Sequence, residues 1–118
     1  MPESRMPLWV LLLASGVALC QAQAPDAQQV REAIGRLGEA NGQALACGLT
    51  APAATARSLM LKHAPRTIEY GALYEQATQT GFAAQLAGKS ACPSAAEMAV
   101  RLEIIAAGLR ELLPVEGG

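Results

Sequence analysis

From Ser94 to Pro114 the chain spells out a single helix with both ends marked. Ser94 followed by Glu97 is a capping box: the serine hydroxyl accepts from the Glu97 amide, and the glutamate side chain accepts from the Ser94 amide. Met98, Leu102, Ile105, Leu109 and Leu112 then recur at helical spacing and share one face. Pro114 lacks an amide proton and restricts Leu113, so the helix stops there. A helix with such a stripe must bury it against other elements. No stretch of the chain alternates apolar and polar residues as a half-buried strand does. The partners of this helix are therefore helices, and the fold class is all-α.

The first partner begins at Asp26. Gln29 stands three residues on, a second capping box, and Val30, Ile34, Leu37, Asn41 and Leu45 mark one face. Glu32 and Arg36 are spaced as a favourable i,i+4 pair. Gly48 suits a left-handed cap just past Cys47. Gly35, Gly38 and Gly42 are spaced three and four apart beside the apolar stripe. Each costs up to about 1 kcal/mol against alanine inside a helix, so small size at these positions has a use. They form either a groove for a neighbouring helix of the same domain or a seam for the helix of a partner.

Thr50-Ala51-Pro52 restarts a helix that runs to Lys62 or His63, with Ala56, Leu59, Met60 and His63 on its inner edge. Ala64-Pro65 stops it. Thr67 is an N-cap for a longer helix with Tyr70, Leu73, Ala77, Gly81 and Ala84 on one face, Tyr74 at its border, and a kink expected near Thr80-Gly81. The reading is a small four-helix up-down bundle whose second helix is short. Aromatic residues make up only 3% of the chain, so alanine and glycine must build a thin core.

Residues 1–24 have the order of a secretory signal peptide. Arg5 gives a positive start, an apolar run follows from Pro7 to Leu19, and small residues come after it. That run is too short for a membrane span. Residues 25–116 then form one helical domain. Val17-Ala18-Leu19-Cys20 offers a rival reading, a lipoprotein anchored on Cys20, although Leu19 stands where a lipobox has a small residue. Without the leader, Cys47 and Cys92 remain, and an even pair in an exported chain reads as a disulfide. In an up-down bundle both lie at the same end, at the close of the first helix and just before the fourth. The bridge would close a loop of about 46 residues, and the chain-entropy model assigns such a loop about 4 kcal/mol.

A net charge of −1 excludes the basic footprint of a nucleic-acid binder. No nucleophile elbow or phosphate loop is present. His63 is the only histidine, and Met60 lies one turn before it. That pair lacks a further ligand, so no metal, cofactor or catalytic residue is expected, and the chain is not read as an enzyme. Tyr70, Tyr74 and Phe82 are the notable aromatics. They either fill the thin core or line a surface for a protein partner, since aromatic residues dominate interface energetics.

Leu37-Gly38-Glu39-Ala40 leading to Ala46-Cys47-Gly48, then Gly81-Phe82 and Ala91-Cys92 before the last helix, resembles a group of small secreted helical proteins of proteobacteria. The aromatic and basic residues expected shortly after Cys-Gly are missing here. The resemblance implies a periplasmic all-helical domain and no particular activity. The expectation is thus an exported protein of a Gram-negative bacterium, periplasmic or secreted, that acts through protein contacts as an inhibitor, immunity protein, chaperone or assembly factor. The alternative is a carrier of a small apolar ligand in a cavity between helices.

Overall fold

The computed structural model describes residues 26–88 and 90–115. The expected leader over residues 1–24, with Cys20, lies outside the described residues. Four helices follow one another: α1 (Ala27–Ala46), α2 (Thr50–His63), α3 (Ile68–Ala87) and α4 (Ala95–Leu112).

Local chemistry sets their ends. Asp26 caps α1 through its carboxylate, which accepts from the Gln28 amide at 3.1 Å, while Gln29 reaches back to the Asp26 amide. At the other end Gly48 adopts φ +69°. Leu49 N donates to Ala44 O at 2.8 Å and Gly48 N to Leu45 O at 3.1 Å. This pair of bonds is a Schellman motif, and it needs the left-handed residue that glycine supplies without steric cost. Thr67 caps α3 by accepting from Tyr70 N at 3.2 Å. The Ser94–Glu97 box opens α4 with bonds of 2.7 and 3.0 Å. At the Thr80-Gly81 position α3 remains one helix.

The helices alternate in direction. Gly38 and Gly42 meet α3 near Tyr74 and Thr78 in turn, so α1 and α3 are parallel. The Cys47–Cys92 bond joins the end of α1 to the segment leading into α4, which makes those two antiparallel. The ends of α2 and α4 meet where His63 Nδ1 lies 2.7 Å from the Leu113 carbonyl oxygen. A carbonyl only accepts, so the ring donates through Nδ1–H.

α1 is the hub. It packs against all three other helices, and α2 also packs against α4. α1, α2 and α4 therefore form a closed triangle, whose core unites Ile34, Leu37, Ala56, Met98, Leu102 and Leu109. α3 comes into close backbone approach with α1 alone among the helices. That approach is made by glycine. A β-carbon on Gly38 would lie 2.6 Å from the Ala77 Cβ, and one on Gly42 would lie 2.6 Å from Phe82 N. Gly81 returns the contact, within 2.9 Å of Glu39 Cα by the same measure. Gly35 has open space around it.

Some local expectations are not met. On α4, Ala106 is buried and Ile105 is half-buried, because the helix faces α2 as well as α1 and its buried arc turns toward α2. On α1, Leu45 is 48% exposed. Glu32 does not pair with Arg36; it accepts from Gln28, whose own oxygen accepts from Arg31.

Candidate functional site

Because α2 and α3 flank α1 without approaching each other, a groove of about 680 Å³ opens between them. α1 supplies Asn41 in its depth and the exposed Leu45. α2 supplies one bank with Ala53, Ala54, Arg57, Met60 and Leu61, and α3 the other with Gly71, Tyr74, Glu75 and Thr78. Leu61 is 62% exposed, so both Leu45 and Leu61 stand open at its mouth.

Two polar groups are set deep. Asn41 is buried, and its Nδ2 donates to Thr78 Oγ1 at 3.1 Å, tying α1 to α3. Tyr74 is 8% exposed and belongs to the core cluster. Its hydroxyl is buried, yet no protein group hydrogen-bonds it. Burial pushes the Tyr74 phenol up to about 12; neighbouring Glu75 adds to the rise and Arg57 opposes it. The charges that the hydroxyl feels are thus those of the groove itself. Arg57 and Glu75 line it from different helices, the first a fixed cation and the second a carboxylate.

A second, more polar cleft of about 410 Å³ lies at the far end of the α1–α3 contact. Arg101 donates to Gln43 Oε1, and Gln43 Nε2 donates to Gln85 Oε1 at 2.8 Å. Gln85 Nε2 in turn lies 3.2 Å from Ser90 O and 3.7 Å from Cys92 Sγ. This relay links α4, α1 and α3 to the disulfide. A third groove, about 550 Å³, runs between α2 and α4, with Leu59, Leu102, Ala99 and Ala106 among its walls.

The residues singled out in the sequence separate. Cys47 and Cys92 are bonded, with Cα atoms 5.7 Å apart. Gly38 and Gly42 serve the α1–α3 contact, whereas Gly35 takes no part in it. Tyr70, Tyr74 and Phe82 differ in exposure. Phe82 is 39% exposed and Tyr70 half-buried, but the close approach at Gly38 draws Tyr74 below the surface, where it becomes a wall of the groove. His63 is buried and spends Nδ1 on Leu113. No three histidine, cysteine, aspartate or glutamate side chains come together as a metal site among the described residues. No described helix is long and apolar enough to cross a membrane.

Asn41 was visible in the sequence only as a polar member of an apolar stripe, a position where burial demands a partner. Arg57, Glu75 and Leu61 carried no signal, since each looks like an ordinary exposed helix residue until α3 is placed.

The chain has no significant match among protein-family models, curated proteins or solved structures.

Proposed function

We propose that this is an exported, non-enzymatic binding protein of the Gram-negative periplasm, and that it acts by gripping a segment of another protein in the α1–α2–α3 groove. The observation that carries the reading is the pair Leu45 and Leu61, large aliphatic side chains left open at the mouth of a groove with polar groups in its depth. Binding sites are built this way: mostly apolar walls with a few placed polar groups. A small ligand seated deep in the groove leaves the two leucines wet, whereas a protein segment lying along it covers them. The Cys47–Cys92 bond and the leader pattern support the compartment, because structural disulfides persist in oxidising surroundings.

A carrier of a small apolar ligand is the second reading. The groove between α2 and α4 favours it, being lined chiefly by alanine and aliphatic residues.

A photocrosslinking residue placed at Leu61, in the full chain expressed with its leader in a Gram-negative host, tests the proposal. Ala107, exposed on α4, is the control position. The expected result is a discrete protein-sized adduct from position 61 that position 107 does not give. Equal labelling at both positions removes the reading. Intact mass showing a bound small molecule in place of a protein adduct transfers the function to the carrier.

A further inference from the structure

α3 packs on α1 alone among the described helices, so its far side meets no other helix of the chain. There Ile68, Ala72, Glu75, Gln79, Phe82 and Leu86 are all exposed, Ile68 at 92% and Leu86 at 64%. They are spaced alternately four and three residues apart, the spacing that keeps one seam of a helix turned toward a partner helix. The seam runs nearly the whole length of α3, about 27 Å at the helical rise per residue.

The seam is its own complement. Ala77 marks its middle, and reversal about that level sets Ile68 on Leu86, Ala72 on Phe82 and Glu75 on Gln79. The outer layers then join two aliphatic side chains. The next layers set the smallest seam residue against the largest. The central ones join a carboxylate, which accepts, to an amide, which donates. A two-fold axis crossing the helix makes this reversal, because an isologous interface sets residue i on j and j on i. A parallel pair would instead stack each residue on its own copy. Glu75 would meet a like charge, and two alanines would leave a gap at position 72. Glu69, the other charged residue of α3, falls outside the seam.

We infer that a second copy of this chain docks on the outer face of α3, with the two α3 helices antiparallel, and forms a two-fold dimer. The occupant is a copy because all six seam positions find their complement in the same seam reversed. The dimer is weak, since one helix from each copy makes a small interface and its centre is polar. Its population therefore follows protein concentration. The inference goes beyond the groove reading and stands without it.

Sedimentation velocity of the mature, oxidised protein tests this between about 10 μM and about 1 mM, a span that reaches the affinities of small interfaces. The expected result is a rise from monomer to dimer mass with concentration. Ile68→Glu and Leu86→Glu change exposed positions and leave the monomer's core intact. Each should weaken the dimer about tenfold, because each change enters the interface twice. Val100→Glu, on the exposed face of α4, is the control and should leave the dimer unchanged. Gln79→Lys reads the orientation. In the antiparallel pair it sets a lysine against Glu75 of the second copy at two places and should tighten the dimer about fivefold. In a parallel pair it sets lysine on lysine and weakens it. A monomer at every concentration overturns the inference and leaves the seam to a helix of another protein, while crosslinking at Leu61 is unaffected. A dimer that survives Leu86→Glu and Ile68→Glu, or that Val100→Glu dissociates, lies on another face and also overturns it. Weakening by Gln79→Lys overturns the antiparallel order.

Discussion

Gly42 of α1 and Thr78 of α3 are so close that no β-carbon fits between the glycine and the Thr78 carbonyl. The obstacle is backbone, which cannot rotate away as a side chain does. Gly42→Ala must therefore push α3 off α1, and it should cost about 1–3 kcal/mol, the range for overpacking. Gly35→Ala is the matched control. Nothing lies within 4 Å of its added β-carbon, so it should gain up to about 1 kcal/mol of helix propensity. Denaturant unfolding of the two variants should move the midpoint in opposite directions; a shift of the same sign in both contradicts the seam.

The α4 stripe makes a similar pair. Leu102 is fully buried in the triangle, and Leu102→Ala should cost about 2–5 kcal/mol. Ile104 is 70% exposed although it is as apolar as Ile105 beside it, so Ile104→Ala should change stability by no more than about 0.5 kcal/mol. Urea melts of both variants check which face α4 presents.

Cys47 and Cys92 close most of the chain between α1 and α4 into one loop. Their loss acts chiefly on the unfolded chain, so the helices should persist while stability falls by about 2–5 kcal/mol. The double serine variant should be no worse than either single one, since the same bond is lost in each. Thermal melts followed by circular dichroism decide this, and thiol titration of the unreduced, unfolded protein should find neither Cys47 nor Cys92 reactive.

Tyr74 adds a pH dependence at the alkaline end. Its phenol titrates near 10 when unfolded and near about 12 in the fold. Above pH 10 the unfolded chain sheds this proton first, so it binds fewer protons and stability falls as pH rises toward 12. Below pH 10 the group contributes no slope. The loss should reach about 2 kcal/mol and should vanish from the Tyr74→Phe variant. Phenolate absorbance of Tyr70→Phe, in which Tyr74 is the only tyrosine, should show the late midpoint directly. A midpoint near 10 there refutes the burial effect.

How much of this was legible beforehand depends on the range of the interaction. Both capping boxes, the Gly48 cap and the Pro114 stop involve residues within a few positions of one another, and each reads directly from the chain. The disulfide was reachable because an up-down order places helix ends predictably. Gly38 and Gly42 announced a close contact but not its owner, since a glycine face looks the same to a neighbouring helix and to a foreign one. The groove was not legible. It exists because α3 settles on α1 and nowhere else, and that depends on tertiary packing which no local pattern of Arg57, Leu61 or Tyr74 encodes. Leu45 is the clearest case: its spacing assigns it to the core, and only the gap between α2 and α3 leaves it open.

The one-sided attachment of α3 bears on how the molecule breathes. α1, α2 and α4 each have two or more helical neighbours, and a covalent bond ties the first of them to the lead-in of the last. Detaching α3 exposes one helix seam and spares the rest, so it is a sub-global opening that costs less than complete unfolding. Amide protons of Leu73 to Gln85 should then exchange with solvent through a partly open form, ahead of those of Ile34, Leu37 and Leu102, whose release requires the whole triangle to come apart. The bank of the groove that carries Tyr74 thus rides on the helix with a single helical partner, and an occupant that bridges it to α2 would slow its exchange most.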